Sequence, residues 1–222
     1  MLLPPPPTAR WIAAHAVVDT WPAEWRISRA HSHVFGSTQF DQRRKASARF
    51  SPLLIGRSLV PVLYGGEDHH AVASETIFHT VDVAGSAIRP RTVSLDEYST
   101  WHWSRVVSTR PLRLINLADK GLSALGVSRK DLIEGGRPSY PTTQSWAAAL
   151  ADGVGEADGL WWYSRQDPAR WAMVLFAKTR GRPGGLRARD LRGTGPVLPF
   201  ATRDGLERLD AIADEFTITV AR

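Results

Sequence analysis

Residues 48–79, ARFSPLLIGRSLVPVLYGGEDHHAVASETIFH, concentrate the groups of this chain that can do chemistry, and they decide the predicted fold. Two apolar runs, residues 53–55 and 59–63, are bounded by proline and glycine, a pattern that predicts buried β-strands separated by turns. Tyr64 follows the second run directly and precedes two glycines, so we expect it at the end of a strand. The stretch therefore begins as a strand region.

The second half of the stretch predicts a helix. Asp68 is a typical N-cap residue, and the small and apolar residues after it recur at helical spacing. Glu75 and His79 are four residues apart, so we expect them on one face of this helix. Arg49 precedes the strands and Tyr64 ends them. The sequence thus predicts a cleft where an arginine, a tyrosine and a glutamate converge.

The composition of the whole chain limits the fold and the partners. Its 222 residues fit one domain with a sizeable core. There is no cysteine, which excludes disulfides and thiolate metal sites and is compatible with a reducing cytoplasm. The formal net charge of +6 favours anionic partners such as phosphates, nucleotides or acidic protein surfaces.

The N-terminus predicts neither export nor membrane insertion. The first ten residues, MLLPPPPTAR, contain four prolines and no basic region ahead of the apolar residues. No later run approaches the ~18 apolar residues that a membrane-spanning helix needs. We therefore expect a cytoplasmic protein whose residues 1–22 form a proline-rich arm and a short helix.

The rest of the chain predicts an α+β domain over residues 23–222, with its core at about residues 25–178. The segments DGLWWYS and WAMVLFAK predict consecutive strands, and the second is continuously apolar, which favours a central position in the sheet. YPTTQSWAAALAD and ERLDAIADEF predict helices. The C-terminal extension, residues 179–222, includes a Gly- and Arg-rich segment, residues 180–195, that predicts an exposed loop.

Several reaction classes lose support because their motifs are absent. The chain has no GxxxxGK phosphate-binding loop, no GxGxxG after a strand, no HExxH and no GxSxG. His69, His70 and His79 suggest metal ligands at first sight. Adjacent histidines usually point apart, however, and no acidic or thiol partner has zinc-like spacing. We therefore expect no metal.

The candidate site residues also have ordinary structural explanations. Glu75 lies among small and apolar residues that would partly desolvate it, but it also fits a surface glutamate with a salt bridge. Arg49 fits a phosphate or carboxylate clamp or one more loop arginine. Tyr64 fits a core aromatic, and Ser164 fits an ordinary strand or turn serine. The residues taken singly do not decide between these readings.

The order of five short segments does carry a resemblance. ARFSP, VLYGG, SETIFH, TQSWAAAL and DGLWWYSRQ together resemble the bacterial RES domain, named for its Arg, Glu and Ser, over roughly residues 25–178. RES proteins are known as toxins encoded beside an Xre-type or ParS/MbcA-type antitoxin. Their fold resembles that of ADP-ribosyltransferases, and they consume NAD. The resemblance thus implies a cytoplasmic NAD-cleaving enzyme with an antitoxin partner.

The resemblance also assigns residues. It matches the Arg to Arg49, the Glu to Glu75 and the Ser to Ser164, and it matches Tyr64 to a family aromatic. Arg26 matches an earlier arginine of the family and His79 a frequent histidine; these two, with Arg49 and Tyr64, are the expected NAD-binding residues.

Each assigned residue has a chemical role to fill. Departure of nicotinamide needs no general acid, because the leaving group is neutral, but it develops an oxocarbenium-like charge that Glu75 would stabilise. Arg49 and Arg26 would bind the two phosphates, Tyr64 would stack on nicotinamide, and Ser164 would bond its carboxamide or a ribose hydroxyl. The acceptor of ADP-ribose stays open: water, inorganic phosphate or a protein side chain.

Two further expectations concern macromolecular partners. An antitoxin segment carrying a carboxylate would block NAD entry beside the cationic loop, residues 43–49. The alternative to an enzyme is a non-catalytic nucleic-acid-binding module that uses residues 43–49 and 180–192. For the toxin, we expect contact with nucleic acid only through the antitoxin.

Overall fold

A computed structural model describes residues 3–44, 48–79, 81 and 91–222. The strands are β1 Val18–Trp21, β2 Arg26–Ser32, β3 Leu53–Ile55, β4 Ser58–Val60, β5 Val62–Gly66, β6 Thr92–Ser94, β7 Trp101–Ser108, β8 Leu112–Asn116, β9 Gly159–Tyr163, β10 Trp171–Phe176, β11 Leu191–Gly193, β12 Leu198–Pro199 and β13 Thr219–Ala221. The helices are α1 Ala9–His15, α2 His69–Thr76, α3 Asp119–Ala124, α4 Arg129–Leu132, α5 Tyr140–Gly153 and α6 Arg203–Glu215.

The fold is a single mixed α+β domain, as predicted, built on a curled sheet of nine strands. Its order is β1-β8-β9-β10-β5-β2-β7-β11, with β12 also paired to β7. The β8–β9 pair is parallel and the other pairs in this sheet are antiparallel. The predicted central strand is confirmed, because β10 lies between β9 and β5 and all of its residues are buried.

Alternation along β10 explains why both faces of the sheet are covered. Ala172, Val174 and Phe176 pack into the core beneath α5, whereas Met173 and Leu175 pack into the core on the opposite face. Successive side chains of a strand point to opposite faces, so a continuously apolar strand requires cover on both. A third core lies between α2 and α6.

The predicted strand over residues 59–63 is wrong in one respect. Pro61 divides it into β4 and β5, because proline has no N–H for the ladder. Tyr64 consequently lies inside β5, opposite Val174, rather than at a strand end. After it, Gly65 allows β2 to approach, since a Cβ there would lie 2.3 Å from the Ile27 side chain.

The helix predicted from Asp68 is confirmed, but it is shorter than expected. The Asp68 carboxylate accepts a hydrogen bond from the Ala71 N–H at 2.9 Å, which caps α2. The helix ends at Thr76, so the prediction that Glu75 and His79 share a helix face is wrong.

Both terminal regions are more integrated than the sequence indicated. Within residues 1–22, β1 is an edge strand of the main sheet, and the Trp146 indole N–H donates to the Pro4 carbonyl at 2.8 Å. The exposed loop predicted over residues 180–195 is confirmed only in part, because Arg182 is buried against Phe176 and donates to the carbonyls of Ala151 and Ala157.

Candidate functional site

A cavity of about 440 Å³ opens between β2, β5, the end of α2 and the loop before β3. Four residues singled out in the sequence line it: Arg49, Tyr64, Glu75 and His79. Much of the remaining wall is aromatic, from Phe35, Tyr98, Trp101, Tyr140 and Trp162. The structure therefore brings these four candidates together, although they come from a loop, a strand, a helix and a turn.

Glu75 is held at one oxygen and open at the other. Its Oε1 accepts hydrogen bonds from the Ser164 hydroxyl at 2.7 Å and from the Arg165 backbone N–H at 2.9 Å. Its Oε2 has no donor among the residues that the structure describes, and the side chain is only half-buried. One oxygen thus fixes the carboxylate, and the second is free for a ligand in the cavity.

Ser164 contacts the Glu75 side chain. It follows β9, is fully buried, and is not among the described residues that line the cavity. Its hydroxyl donates to Glu75 and does not line the cavity, and the expected contact with nicotinamide or a ribose hydroxyl stays a prediction. The observed hydrogen bond holds the Glu75 carboxylate in place.

Arg49 is a buried cation with spare hydrogen-bonding capacity. One Nη1 donates to the Gly135 carbonyl at 2.8 Å, and the guanidinium lies 5.6 Å from the Tyr140 ring centroid. Burial lowers its pKa, and the nearby Glu75 charge opposes that shift. No described carboxylate forms a salt bridge with Arg49, which leaves its remaining N–H donors able to bind an anion.

Two neutral groups complete the predicted set. The Tyr64 hydroxyl accepts from the Phe50 N–H at 3.2 Å and donates to the Ser51 hydroxyl at 3.4 Å, and burial raises the pKa of Tyr64 to about 12. His79 donates from Nδ1 to the Thr76 carbonyl at 2.6 Å, because a carbonyl can only accept. Burial lowers the pKa of His79, so its neutral form presents Nε2 as an acceptor.

Arg26, expected among the NAD-binding residues, lies away from the cavity. Arg26 is exposed at the start of β2 and does not line the cavity, whereas Arg29 on the same strand is buried and does. The Arg29 guanidinium donates to the carbonyls of Gly36, Ser37 and Gln39, and burial lowers its pKa to about 9. Arg29 thus shapes the cavity wall. The sequence offered only two arginines on one strand and no signal to choose between them.

His31, also missed in the sequence, lines the cavity between Arg29 and β7. Its Nε2 lies 2.9 Å from the Ser104 hydroxyl, and its Nδ1 donates to the Ser32 carbonyl at 3.1 Å. Burial, followed by the charge of Arg29, lowers the pKa of His31 to about 4. The ring is therefore neutral near pH 7 and adds no charge to the site.

The two basic segments offer less free charge than their sequences indicate. Arg43, at the cavity, forms a bidentate pair with Asp41 at 2.7–3.1 Å. Arg182 is internal, and Arg192 pairs with Glu24. Lys45, in the middle of the first segment, lies outside the described residues, as does Ser47.

The histidines considered as metal ligands have other contacts. His69 Nδ1 accepts from Arg208 at 2.8 Å, and His70 lies 3.0 Å from Glu215. Within the described ranges, no group of three His, Cys, Asp or Glu side chains is arranged to hold a metal ion. No helix in this same part of the chain is long and apolar enough to cross a membrane.

Comparison with known proteins adds a family and a fold. The model of the RES domain family matches residues 23–195. The crystal structure of the M. tuberculosis MbcT-MbcA toxin-antitoxin complex contains a chain of similar fold, with a TM-score of 0.54 and 16% identity over 85% of this chain and 92% of that one. No curated protein sequence matches.

Proposed function

This chain belongs to the RES domain family, and on that premise we propose that it is the toxin of a bacterial toxin-antitoxin system and cleaves NAD between nicotinamide and ribose. The observation that carries the proposal is the environment of Glu75. Its carboxylate lines the cavity and is fixed by Ser164 and Arg165 at one oxygen, while the other oxygen has no donor among the described residues.

Glu75 is suited to the difficult part of this reaction. Loss of neutral nicotinamide leaves positive charge on the ribose, and a fixed carboxylate beside the ring stabilises that charge in the transition state. The two hydrogen bonds to Oε1 supply the fixation without requiring reorganisation during the reaction. Oε2 then faces the ribose and its hydroxyls.

Arg49 supplies the complementary charge for the dinucleotide. Its guanidinium is buried at the cavity, lacks a salt bridge among the described carboxylates, and retains donors in a planar fork. The NAD phosphates are the ligand groups that such a fork binds. The Tyr64 ring and its aromatic neighbours in the cavity wall would stack on nicotinamide or adenine.

The attacking group determines the reaction. Water at C1 of the ribose gives ADP-ribose and releases one proton, for which the free Nε2 of His79 is an acceptor. Inorganic phosphate gives ADP-ribose 1-phosphate, and a side chain gives an ADP-ribosylated protein. In each case the bond to nicotinamide breaks and its electron pair leaves with the ring.

An antitoxin partner belongs to the same proposal. The protein of similar fold is part of a toxin-antitoxin complex, and free NAD cleavage would harm the cell that makes this chain. We expect an antitoxin of the Xre, ParS or MbcA type to block the cavity with a carboxylate near Arg49. Co-expression with the adjacent open reading frame should slow hydrogen exchange over residues 48–64 and prevent NAD entry. A tight complex that still admits NAD would contradict this blocking.

One assay tests the function and separates the acceptors. Purified protein is incubated with labelled NAD, alone, with phosphate, and with cell extract, while nicotinamide release and protein labelling are followed. Release without phosphate indicates hydrolysis, release that needs phosphate indicates phosphorolysis, and labelled protein indicates ADP-ribosylation. Intact NAD in all three mixtures would refute the proposal, and salt-dependent nucleic-acid binding without turnover would favour the nucleic-acid-binding alternative.

A further inference from the structure

A second cavity, of about 240 Å³, has a wall residue, Ser104, that contacts His31 of the first cavity. Its walls are His69 at the start of α2, Trp103 and Arg105 on β7, the turn before β12 and Arg208 on α6. Nothing in the proposed NAD chemistry uses this space.

Two arginines give the second cavity unneutralised positive charge. Arg105 and Arg208 both line it, and neither forms a salt bridge with any described carboxylate. Some exposed arginines do form such a pair, as Arg203 does with Glu207 at 2.7 Å, whereas Arg44 and Arg57 do not. Among the described residues of the lining, Asp204 is the one acidic residue, so the arginines outnumber the carboxylates there. A cavity with this balance favours an anion.

Two residues of the cavity wall also carry neutral N–H groups. Arg208 can only donate, so His69 Nδ1, 2.8 Å from it, is an acceptor and the ring proton lies on Nε2. Burial, then the charges of Arg208 and Arg105, lower the pKa of His69 to about 4, which keeps the ring neutral. The buried indole N–H of Trp103 has no partner in the described part of the chain.

We propose that this second cavity is a binding site for a phosphate group, either inorganic phosphate or a small phosphate monoester. Guanidinium groups bind phosphate oxygens through paired N–H donors, and neutral N–H groups satisfy the remaining oxygens. An unpartnered buried donor such as the Trp103 indole costs free energy until a ligand or water satisfies it.

Two structural elements connect the second cavity to the first. His69 begins the helix whose other end carries Glu75. Ser104 lines the second cavity and contacts His31 of the first cavity at 2.9 Å. The proposal does not depend on NAD cleavage, because its evidence is the charge and the donors of the second cavity alone.

The test uses the full chain with ¹⁵N-labelled tryptophan, titrated with inorganic phosphate against chloride at constant ionic strength. The Trp103 indole signal, identified with Trp103→Phe among the nine tryptophans, should shift and saturate. Arg105→Gln with Arg208→Gln should raise the half-saturating phosphate concentration about tenfold or more, which is about 1.4 kcal/mol. The glutamine at 208 retains an N–H donor for His69. A parallel titration with ribose 5-phosphate distinguishes a monoester from free phosphate.

Three controls keep the result specific. Arg203→Gln removes the same charge from the same helix outside the cavity and should leave the titration unchanged. Arg49→Ala removes the cation of the first cavity and should also leave it unchanged. The indole signals of the other tryptophans show whether the double variant folds. If it does not, Arg105→Gln alone replaces it in the phosphate titration. The proposal would be overturned if neither ligand shifted the Trp103 signal. It would also be overturned if the double variant had the wild-type half-saturating concentration, or if Arg49→Ala abolished the shift.

Discussion

The Arg110–Asp158 pair and the Arg49–Glu75 pair are built in opposite ways. Asp158 is 2% exposed, and it accepts from both terminal nitrogens of Arg110 at 2.7 and 2.8 Å and from the N–H groups of Arg113 and Gly185. Its hydrogen-bonding capacity is used within the fold.

Arg49 and Glu75 lie near enough for their charges to interact, yet they form no salt bridge in the described structure. Each is anchored by neutral groups, Arg49 by a carbonyl and Glu75 by a hydroxyl and a backbone N–H. Each therefore retains capacity for a ligand. The comparison teaches that a satisfied ion pair stabilises the fold, whereas a separated pair in a cavity is available for chemistry.

The largest effect on stability should come from the satisfied pair. Asp158→Asn should lower the free energy of unfolding by about 3 kcal/mol, because it removes the buried charge that binds Arg110 bidentately and weakens the bonds to the N–H groups of Arg113 and Gly185. Urea denaturation measures this change. The control, Glu207→Gln, breaks the exposed pair with Arg203 and should cost less than about 1 kcal/mol. Equal losses in the two variants would contradict the structural role of Asp158.

Arg49→Ala should affect ligand binding more than stability. Loss of a charge-assisted bond to phosphate should weaken NAD binding by about 1.5–3 kcal/mol and reduce turnover in parallel, because a phosphate clamp acts in the ground state and the transition state alike. Calorimetry and steady-state kinetics measure both. The matched control is Arg57→Ala, which removes an exposed charge from the nearby turn. Unchanged NAD affinity in Arg49→Ala would refute the clamp.

A smaller effect is expected for the residue that positions Glu75. Ser164→Ala removes one of two bonds to Oε1 and should reduce kcat about tenfold, corresponding to about 1.4 kcal/mol, with little change in KM. The exposed Ser145, changed to alanine on α5, is the control. If KM rose while kcat stayed constant, Ser164 would bind substrate directly.

A dependence of stability on pH is expected as well. The pKa of both His31 and His69 is lowered to about 4, first by burial. The unfolded chain, with an ordinary pKa of about 6.5, binds more protons between these values, so stability should fall as pH falls from about 6.5 to about 4. Urea midpoints across this range measure it. His69→Gln should flatten the dependence, and exposed His15→Gln should not.

Strand β10 and helix α2 could be predicted from the sequence, because the features that form them lie within a few neighbouring residues. The β10 strand is apolar throughout, and α2 begins at a capping aspartate. Both signals are contained within a few residues. The division of one strand at Pro61 was equally local and followed from the missing N–H, although the prediction overlooked it.

The site was only partly predictable, since its decisive contacts join distant residues. The order of the segments that resemble the RES domain selected Arg49 and Glu75, and the structure places both in one cavity. The bond from Ser164 to Glu75 spans a sequence separation of 89, and no local pattern encodes it. The choice between Arg26 and Arg29 likewise depended on which side chain the folded strand turns toward the cavity.

The central claim is that Glu75 stabilises charge in NAD cleavage and does not serve the fold. The most direct test is nicotinamide release by Glu75→Gln beside the wild-type protein, with urea denaturation of both. We predict turnover reduced about 10²- to 10³-fold, NAD binding largely retained, and an unfolding free energy within about 1 kcal/mol of wild type. Near-wild-type turnover, or a loss of activity matched by a loss of folded protein, would contradict the account.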